Sequence, residues 1–289
     1  MPSQFSLSYF DPPTELARHI LVTFCFRNPQ IEIEDRHPGA LSQLVLFPSG
    51  EGGMRFGDRF DPASPGAFAF SGFSSAKPLT MRGPWTAIGA SLTPLGWAAL
   101  TRKPASACFD RFIPAVELLG KDVTAFSMDL NRRFLAGEVE GQAACEELAD
   151  WIAPRLGKVN PNHEKLIEAT IGWLGSSLNP DVSDLFDRVY YSRRQTERLV
   201  ERYFGLPPAA LARKYRAVRA AALLAKDDLS NEAEAEIGSA FVDQPHMIRE
   251  IRRFCGYTPT RLGGPRDPLF QVLLQMKNLD RLKAFRAIE

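Results

Sequence analysis

The sequence has no long hydrophobic run and no recognisable leader at its N-terminus. Its longest apolar stretches, such as residues 20–22 and 44–47, are far shorter than the ~20 residues that a membrane-spanning helix needs. The first ten residues contain no basic segment followed by an apolar core, so a secretory signal is not expected. These absences predict a cytoplasmic protein with no membrane partner.

Cysteine and histidine are scarce and scattered. The cysteines are Cys25, Cys108, Cys145 and Cys255, and the histidines are His19, His37, His163 and His246. No cysteine pair has CxxC or CxxH spacing, which favours reduced thiols over a disulfide scaffold or a zinc site. No HxH pair, the usual metal-binding signature of cupin-like barrels, is present. The sequence therefore predicts no metal, no other cofactor and no enzymatic activity.

A strong excess of one charge is also lacking, because the net charge of the 289 residues is only +1. The chain is long enough for about two domains with separate cores. Residues 1–120 contain short runs rich in Val, Ile, Phe and Thr, separated by Gly, Pro and Ser at the spacing of a β-sandwich or β-barrel. The stretch 47–53 lacks the GK[ST] of a phosphate-binding loop and predicts a hairpin turn.

Aromatic residues of this β-rich region allow two interpretations, an apolar ligand pocket or an ordinary β core. They are Phe47, Phe56, Phe68, Phe70, Phe73 and Trp85. Residues 121–157 change to helical spacing and predict a connector that either dimerises or caps the β domain. Residues 158–265 are predicted to be all-helical, and residues 266–289 to form a helical tail. The expected fold class is a multidomain β plus all-α protein.

Two segments of the helical region share one plan. Ser192 and Gln195 have the spacing of a capping box, and Gly205 is a favoured helix stop. Asp243 is a good N-cap for a second helix that ends at Gly256. A short connection and another helix precede each one, which is the pattern of a helix-turn-helix.

Both helices have an apolar stripe and an opposite, largely cationic one. Between residues 188 and 219, the sequence contains nine lysines and arginines but only two glutamates, a local net charge of +7. A solvated surface helix has the same appearance. Two helices built alike, about 50 residues apart, favour a phosphate-binding face instead.

Residues 192–224 and 241–259 resemble the double helix-turn-helix domain of the AraC/XylS family of bacterial transcription regulators. The matching residues are Ser192, Arg198, Gly205, Arg216, Ala220, Leu223, Leu224, Phe241, Asp243, Gln244, His246, Arg249, Gly256, Thr258 and Pro259. The N-terminal half is similar to the cupin-like sensor or dimerisation domains of this family. The resemblance implies a transcription activator that binds double-stranded promoter DNA. It also allows RNA polymerase, a small-molecule effector and a second copy of the chain as partners.

By this resemblance, each recognition helix enters a major groove, and a rigid helix holds the two about one DNA turn apart. The predicted base-reading residues are Arg194, Glu197, Arg198, Gln244, His246 and Arg249. The predicted phosphate contacts are Arg193, Arg202, Lys214 and Arg253. The competing hypothesis is a ligand-binding or enzymatic barrel whose helical domain has lost DNA binding.

The sequence departs from the family pattern within the second unit. Glu236 lies where the family has a small residue, and an unpaired buried carboxylate is costly. We expect Glu236 to point outward or to pair with Arg249 or Arg252, so that its replacement by alanine tightens DNA binding or stabilises the domain.

Overall fold

The computed structural model describes residues 6–30, 32–225 and 229–261. An antiparallel β-sheet domain comes first and a helical region follows, which confirms the predicted fold class. The helical tail predicted at 266–289 lies outside the described residues. Within these residues, no helix combines the length and the apolar character needed to cross a bilayer.

The β domain is a single antiparallel sheet with the strand order β1–β2–β7–β4–β6–β8, in which β3 also pairs with β7 and β5 with β4. The strands are β1 (Ser6–Phe10), β2 (Ile20–Asn28), β3 (Glu32–His37), β4 (Ser42–Phe56), β5 (Arg59–Ala63), β6 (Gly66–Phe70), β7 (Lys77–Leu92) and β8 (Ile113–Pro114). The long strands β4 and β7 pair with each other and use their two halves to pair with different neighbours.

Both faces of the central strands are buried, and their side chains divide between two cores. Leu44 and Leu46 point into one core, whereas Val45 and Phe47 point into the other, because successive residues of a strand face opposite sides. The hairpin predicted at residues 47–53 is wrong, since this stretch continues β4. Two irregularities in its pairing with β7, on either side of Ser49, let the strand bend there without a turn.

Ten α-helices are assigned within the described residues. They are α1 (Pro94–Thr101), α2 (Val116–Leu119), α3 (Asp122–Leu135), α4 (Gly141–Ile152), α5 (Pro161–Ser176), α6 (Val182–Asp187), α7 (Arg193–Phe204), α8 (Pro208–Leu224), α9 (Asn231–Ala240) and α10 (Gln244–Cys255). Short 3-10 turns cover Thr14–Leu16, Ala105–Cys108, Ala153–Arg155 and Pro259–Arg261.

Helices α3 and α4, which form the predicted connector, cover one face of the sheet. Leu130 and Leu148 are buried in the core beneath them. The Asn131 side-chain amide also donates to the Phe47 carbonyl at 3.0 Å, which ties α3 to β4. These contacts support the interpretation that the segment caps the β domain. Met128 and Leu135 nevertheless remain exposed on α3.

The helical region has two cores, one for each half. Helices α5, α6 and α7 surround the first core, to which Leu95 of α1 contributes from the β domain. Helices α8, α9 and α10 surround the second. The 17-residue helix α8 reaches from one core to the other and links the two halves.

A buried carboxylate joins α10 to α8. Glu250 is only 3% exposed, and Arg213 donates two hydrogen bonds to its two oxygens. Arg216 lies 3.9 Å from the same carboxylate. Burial by itself raises the pKa of Glu250, but the hydrogen bonds and charge of Arg213 hold it below the ordinary value. This cluster fixes α10 on the linking helix.

We expect Glu250→Ala to lower the free energy of unfolding by about 1–3 kcal/mol, because it leaves Arg216 half-buried without its carboxylate. Urea denaturation of the full chain provides the measurement. Glu234→Ala is the matched control, since Glu234 is exposed on α9 and takes part in no ion pair within the described chain. Equal stability of the two variants would contradict a structural role for Glu250.

Candidate DNA-binding surface

The first helix-turn-helix unit consists of α6, a short turn and α7. The Ser192 hydroxyl accepts from the Gln195 backbone N–H while the Gln195 side chain accepts from the Ser192 N–H, so the predicted capping box is confirmed. Gly205 ends the helix in the left-handed conformation with φ of 81°, a geometry that glycine adopts without a steric penalty. These local signals fix where α7 begins and ends.

The outer face of α7 is exposed and cationic. Arg194, Arg198 and Arg202 are exposed, and no carboxylate of the described residues lies within ion-pair distance of them. Arg193 is also exposed, and its Nε lies 3.4 Å from a carboxylate oxygen of the half-buried Glu197. All five predicted residues on this helix therefore lie at its accessible side. An exposed pair of this kind stabilises little and can separate at low cost.

The second unit consists of α9, a turn and α10. The Asp243 carboxylate accepts from the His246 backbone N–H at 2.6 Å, and Gly256 ends α10 with φ of 90°, so both predicted caps are confirmed. Gln244, Arg249 and Arg253 are exposed.

His246 is half-buried and already has a local role. Its Nδ1 accepts weakly from the Val242 N–H at 3.4 Å, and its ring packs edge-on against Phe241. The histidine thus stabilises the turn between α9 and α10, and it also lies at the start of the exposed face of α10.

Several of the cations counted in the sequence already have partners within the protein. Arg213 and Arg216 face Glu250, and Arg219 donates to the carbonyls of Leu174 and Ser177 at 3.1 and 2.6 Å. The local excess of +7 therefore overstates the charge on the outside. The cations that stay accessible are concentrated on α7 and α10.

The prediction that Lys214 contacts a DNA phosphate is wrong for this conformation. Lys214 is only 2% exposed, and its Nζ donates to the backbone carbonyls of Gly39 and Phe73 at 2.5 and 2.6 Å. Both carbonyls belong to the β domain, so the lysine joins α8 to that domain. Burial lowers the pKa of Lys214 to about 7. Nothing in the local sequence around Lys214 signals these distant partners.

Glu236 points outward, which is one of the two expected alternatives, but it also has a partner that was not expected. One of its carboxylate oxygens accepts from the Leu178 backbone N–H at 2.8 Å, across 58 residues of sequence. The side chain lies at the surface and pairs with neither Arg249 nor Arg252. Glu236 thus caps a free backbone donor between α5 and α6, so its removal is expected to weaken the domain instead of stabilising it.

Further contacts seat the second unit on the β domain. The Tyr257 hydroxyl donates to the Asp35 carboxylate at 2.6 Å, and the Arg253 carbonyl accepts from the Ala76 N–H at 3.0 Å. The Arg36 side chain also lies directly against Gly256, where a Cβ atom would come within 2.5 Å of it. The C-terminal end of α10 therefore contacts the sheet domain, while its N-terminal end projects away from these contacts.

Two exposed side chains near the recognition helices have no counterpart among the predicted residues. Tyr190 precedes the N-cap of α7 and is fully exposed, and Val242 precedes the N-cap of α10 and is 89% exposed. A search for cations and hydrogen-bonding groups did not select them because their side chains are largely hydrophobic. The signal that could have found them is their position in the turn, since a recognition helix presents its N-terminal end to DNA.

Comparison with protein families gives one match, to a helix-turn-helix domain model over residues 185–263. The match begins within α6 and extends past α10, so it covers both units described above. Residues 185–263 form an AraC-type helix-turn-helix domain. The helix-turn-helix domain is a DNA-binding module, so the chain carries the DNA-binding part of a transcription regulator.

Among solved structures, the chain is similar to ToxT from Vibrio cholerae O395, with 9% identity, a TM-score of 0.45, and 92% of this chain and 98% of that one covered. It is similar to the same protein bound to (E)-4-(8-methylnaphthalen-1-yl)but-3-enoic acid, with 8% identity, a TM-score of 0.42, and coverage of 90% and 98%.

It is also similar to the AraC-like transcriptional activator CuxR, with 15% identity, a TM-score of 0.23, and coverage of 97% and 86%. TM-scores this low carry no conclusion about the present chain. No curated protein sequence matches it significantly.

The burial of Lys214 predicts a specific pH dependence of stability. The unfolded chain releases the lysine proton near pH 10.5 and the folded chain near pH 7, so between these values the unfolded state binds more protons. Raising the pH from 7 to 10 therefore increases the free energy of unfolding contributed by this group. Lys214→Met, which keeps the length of the side chain, is expected to lack this increase.

Denaturation of wild type and Lys214→Met at pH 7, 8, 9 and 10 measures the effect as the difference between the two proteins. Other groups that titrate in this range are common to both and cancel. Parallel stability curves would show that the lysine is not buried at the domain junction.

Proposed function

We propose that α7 and α10 are two recognition helices that read successive major grooves on one face of promoter DNA. The observation that carries the proposal is the repeated design: two 12-residue helices, each with a side-chain N-cap, a glycine stop and an exposed face bearing arginines. Helix α8, whose 17 residues span about 25 Å, separates the two units, and the proposal places α7 and α10 in grooves that recur every ~34 Å.

Within this proposal, the residues nearest the start of each helix read bases. They are Arg194, Glu197 and Arg198 on α7, and Gln244, His246 and Arg249 on α10. Arginine donates in a bidentate manner to guanine, glutamine pairs with adenine, and Glu197 accepts from cytosine N4 once it separates from Arg193. Arg193, Arg202 and Arg253 contact phosphates and set the register. Lys214 has no part in the interface.

The domain limits follow the same proposal. Residues 1–120 form the sensor or dimerisation domain, residues 121–157 the connector, and residues 158–265 the DNA-binding domain. Supporting this division, α3 and α4 pack on the sheet, whereas α5 to α10 surround the two cores of the helical region.

Arg194→Ala and Arg249→Ala test the recognition helices. Each is expected to weaken binding to the selected sequence by ~1–3 kcal/mol and to relax base preference at one position, the two positions lying about one DNA turn apart. The probe is duplex DNA selected from random sequence by the full-length chain, and affinities are measured by titration at fixed salt.

Arg82→Ala is the matched control, because Arg82 is an exposed arginine of β7 in the sheet domain. It should bind the selected DNA as wild type does. Unchanged base preference in both helix variants would refute the recognition-helix assignment. A wild-type chain that enriches no sequence would refute the proposed function as a whole.

A second proposal concerns an effector. The β domain contains a cavity of about 70 Å³ that is partly open to solvent and is lined almost entirely by apolar side chains, including Phe47, Phe70 and Trp85 of the predicted pocket. The other predicted aromatics, Phe56, Phe68 and Phe73, are buried in the core. The Trp85 indole N–H is buried without a hydrogen-bond partner in the described chain. These features favour a small apolar effector with one hydrogen-bond acceptor for that N–H.

Acetone, a small molecule with a carbonyl acceptor, is a simple probe of the cavity, and isobutene is the matched compound of the same shape without an acceptor. Acetone is expected to raise the melting temperature more than isobutene does, because binding to the folded state alone stabilises it. Ala87→Leu places extra volume in the cavity wall and should abolish the effect. Equal responses to both compounds would contradict the role of Trp85.

A further inference from the structure

A cleft of about 660 Å³ separates the first recognition helix from the β domain. One wall is the outer side of α7, with Gln195, Arg198 and Arg202, and the other wall includes Pro104 and Ser106. The 3-10 turn Ala105–Cys108, which carries Ser106, packs against α7. The sheet domain therefore lies directly beside the helix that is proposed to enter the major groove.

The chain reaches this position through an unusual backbone conformation at the end of α1. Arg102 has φ of 56°, in the left-handed region that residues other than glycine rarely adopt, and its N–H caps the helix by donating to the Ala98 carbonyl. The chain then turns through Lys103 and Pro104 to the cleft. Arg102 and Lys103 are both exposed, and Lys103 directly precedes Pro104 of the cleft lining.

The charges around the cleft favour an anion. Arg102, Lys103, Arg198 and Arg202 have no carboxylate within ion-pair distance among the described residues. The one carboxylate in the cleft lining is that of Glu201. The two lining arginines, Arg198 and Arg202, outnumber this carboxylate. On the β-domain wall the Ser106 hydroxyl supplies a hydrogen-bond donor, and the exposed Lys103 adjoins the lining residue Pro104.

We propose that segment 102–106 of the β domain contacts the DNA backbone that borders the major groove occupied by α7. The inference rests on the proposed function, because a helix inserted in the ~12 Å major groove has a phosphate backbone on each side. From Gln195 to Arg202 the cleft follows α7 for about 10 Å, the rise of about three nucleotides of one strand. Lys103 and Ser106 contact phosphates without reading sequence.

Lys103→Ala and Lys103→Glu in the full chain test this contact. Lys103→Ala is expected to weaken binding about threefold near physiological salt, equally for selected and unselected DNA. It should also reduce the slope of log affinity against log salt by about one. Lys103→Glu should weaken binding more, whereas Ser106→Ala should weaken it without changing the slope.

Lys121→Ala is the matched control, since Lys121 is an exposed lysine of the connector at the start of α3. It should leave both affinity and slope unchanged. Melting temperatures of all variants equal to wild type would confirm that the loss is not one of folding. Tighter or unchanged DNA binding by Lys103→Glu would overturn the inference while leaving the recognition helices in place.

A small anion is the other class of ligand that this cleft fits, and it gives a different result. If inorganic phosphate at constant ionic strength binds wild type but not Lys103→Glu, and leaves DNA binding by wild type unchanged, the cleft is an anion pocket and the backbone contact is refuted. If wild type binds no DNA at all, the proposed function and this inference fail together.

Discussion

The buried ion cluster between α8 and α10 is the interaction on which the DNA-binding surface depends. Glu250 faces away from the exposed side of α10 and accepts two hydrogen bonds from Arg213 on the linking helix. Glu250 is buried although Arg213 is partly exposed, so a displacement of Arg213 would leave a buried carboxylate without compensation. The direction in which Arg249 and Arg253 project is thereby tied to the axis of α8, and through α8 to the first unit.

The same linking helix is tied to the β domain by Lys214. Its two carbonyl acceptors, Gly39 and Phe73, are adjacent to each other because the Phe73 N–H donates to the Gly39 carbonyl at 3.1 Å. His37 is buried and lies near the charge of Lys214. Burial, together with that charge, lowers the pKa of His37 to about 3. His37 also lines the apolar cavity. The cavity of the sheet domain is therefore connected, through His37 and Lys214, to the helix α8 that links both recognition units.

Local chemistry made the helix ends predictable. Ser192, Gly205, Asp243 and Gly256 act through hydrogen bonds and backbone conformations that span fewer than five residues, so a short stretch of sequence contains all the necessary information. The short runs rich in Val, Ile, Phe and Thr were equally readable as strands. The bend of β4 was not, because glycine-rich strand and hairpin turn look alike until the pairing partner is known.

The contacts that the sequence did not reveal join residues that are far apart in the sequence. Lys214 bonds to Gly39 across 175 residues and Glu236 to Leu178 across 58, and both resemble ordinary surface charges on a helical wheel. Exposed arginines on α7 and α10 were predictable since amphipathic spacing determines which side faces solvent. Which cation faces solvent and which is buried against another domain depends on docking, and periodicity contains no information about docking.

The Arg36 side chain against Gly256 has a consequence for protein engineering. A glycine stop is usually interchangeable among helices, but here the missing side chain also makes room for an arginine of the sheet domain. Together with the bond from Tyr257 to Asp35, this makes the second unit and strand β3 a matched pair of surfaces. A chimera that joins this DNA-binding domain to a foreign sensor would lose that match unless the graft includes the segment around Arg36.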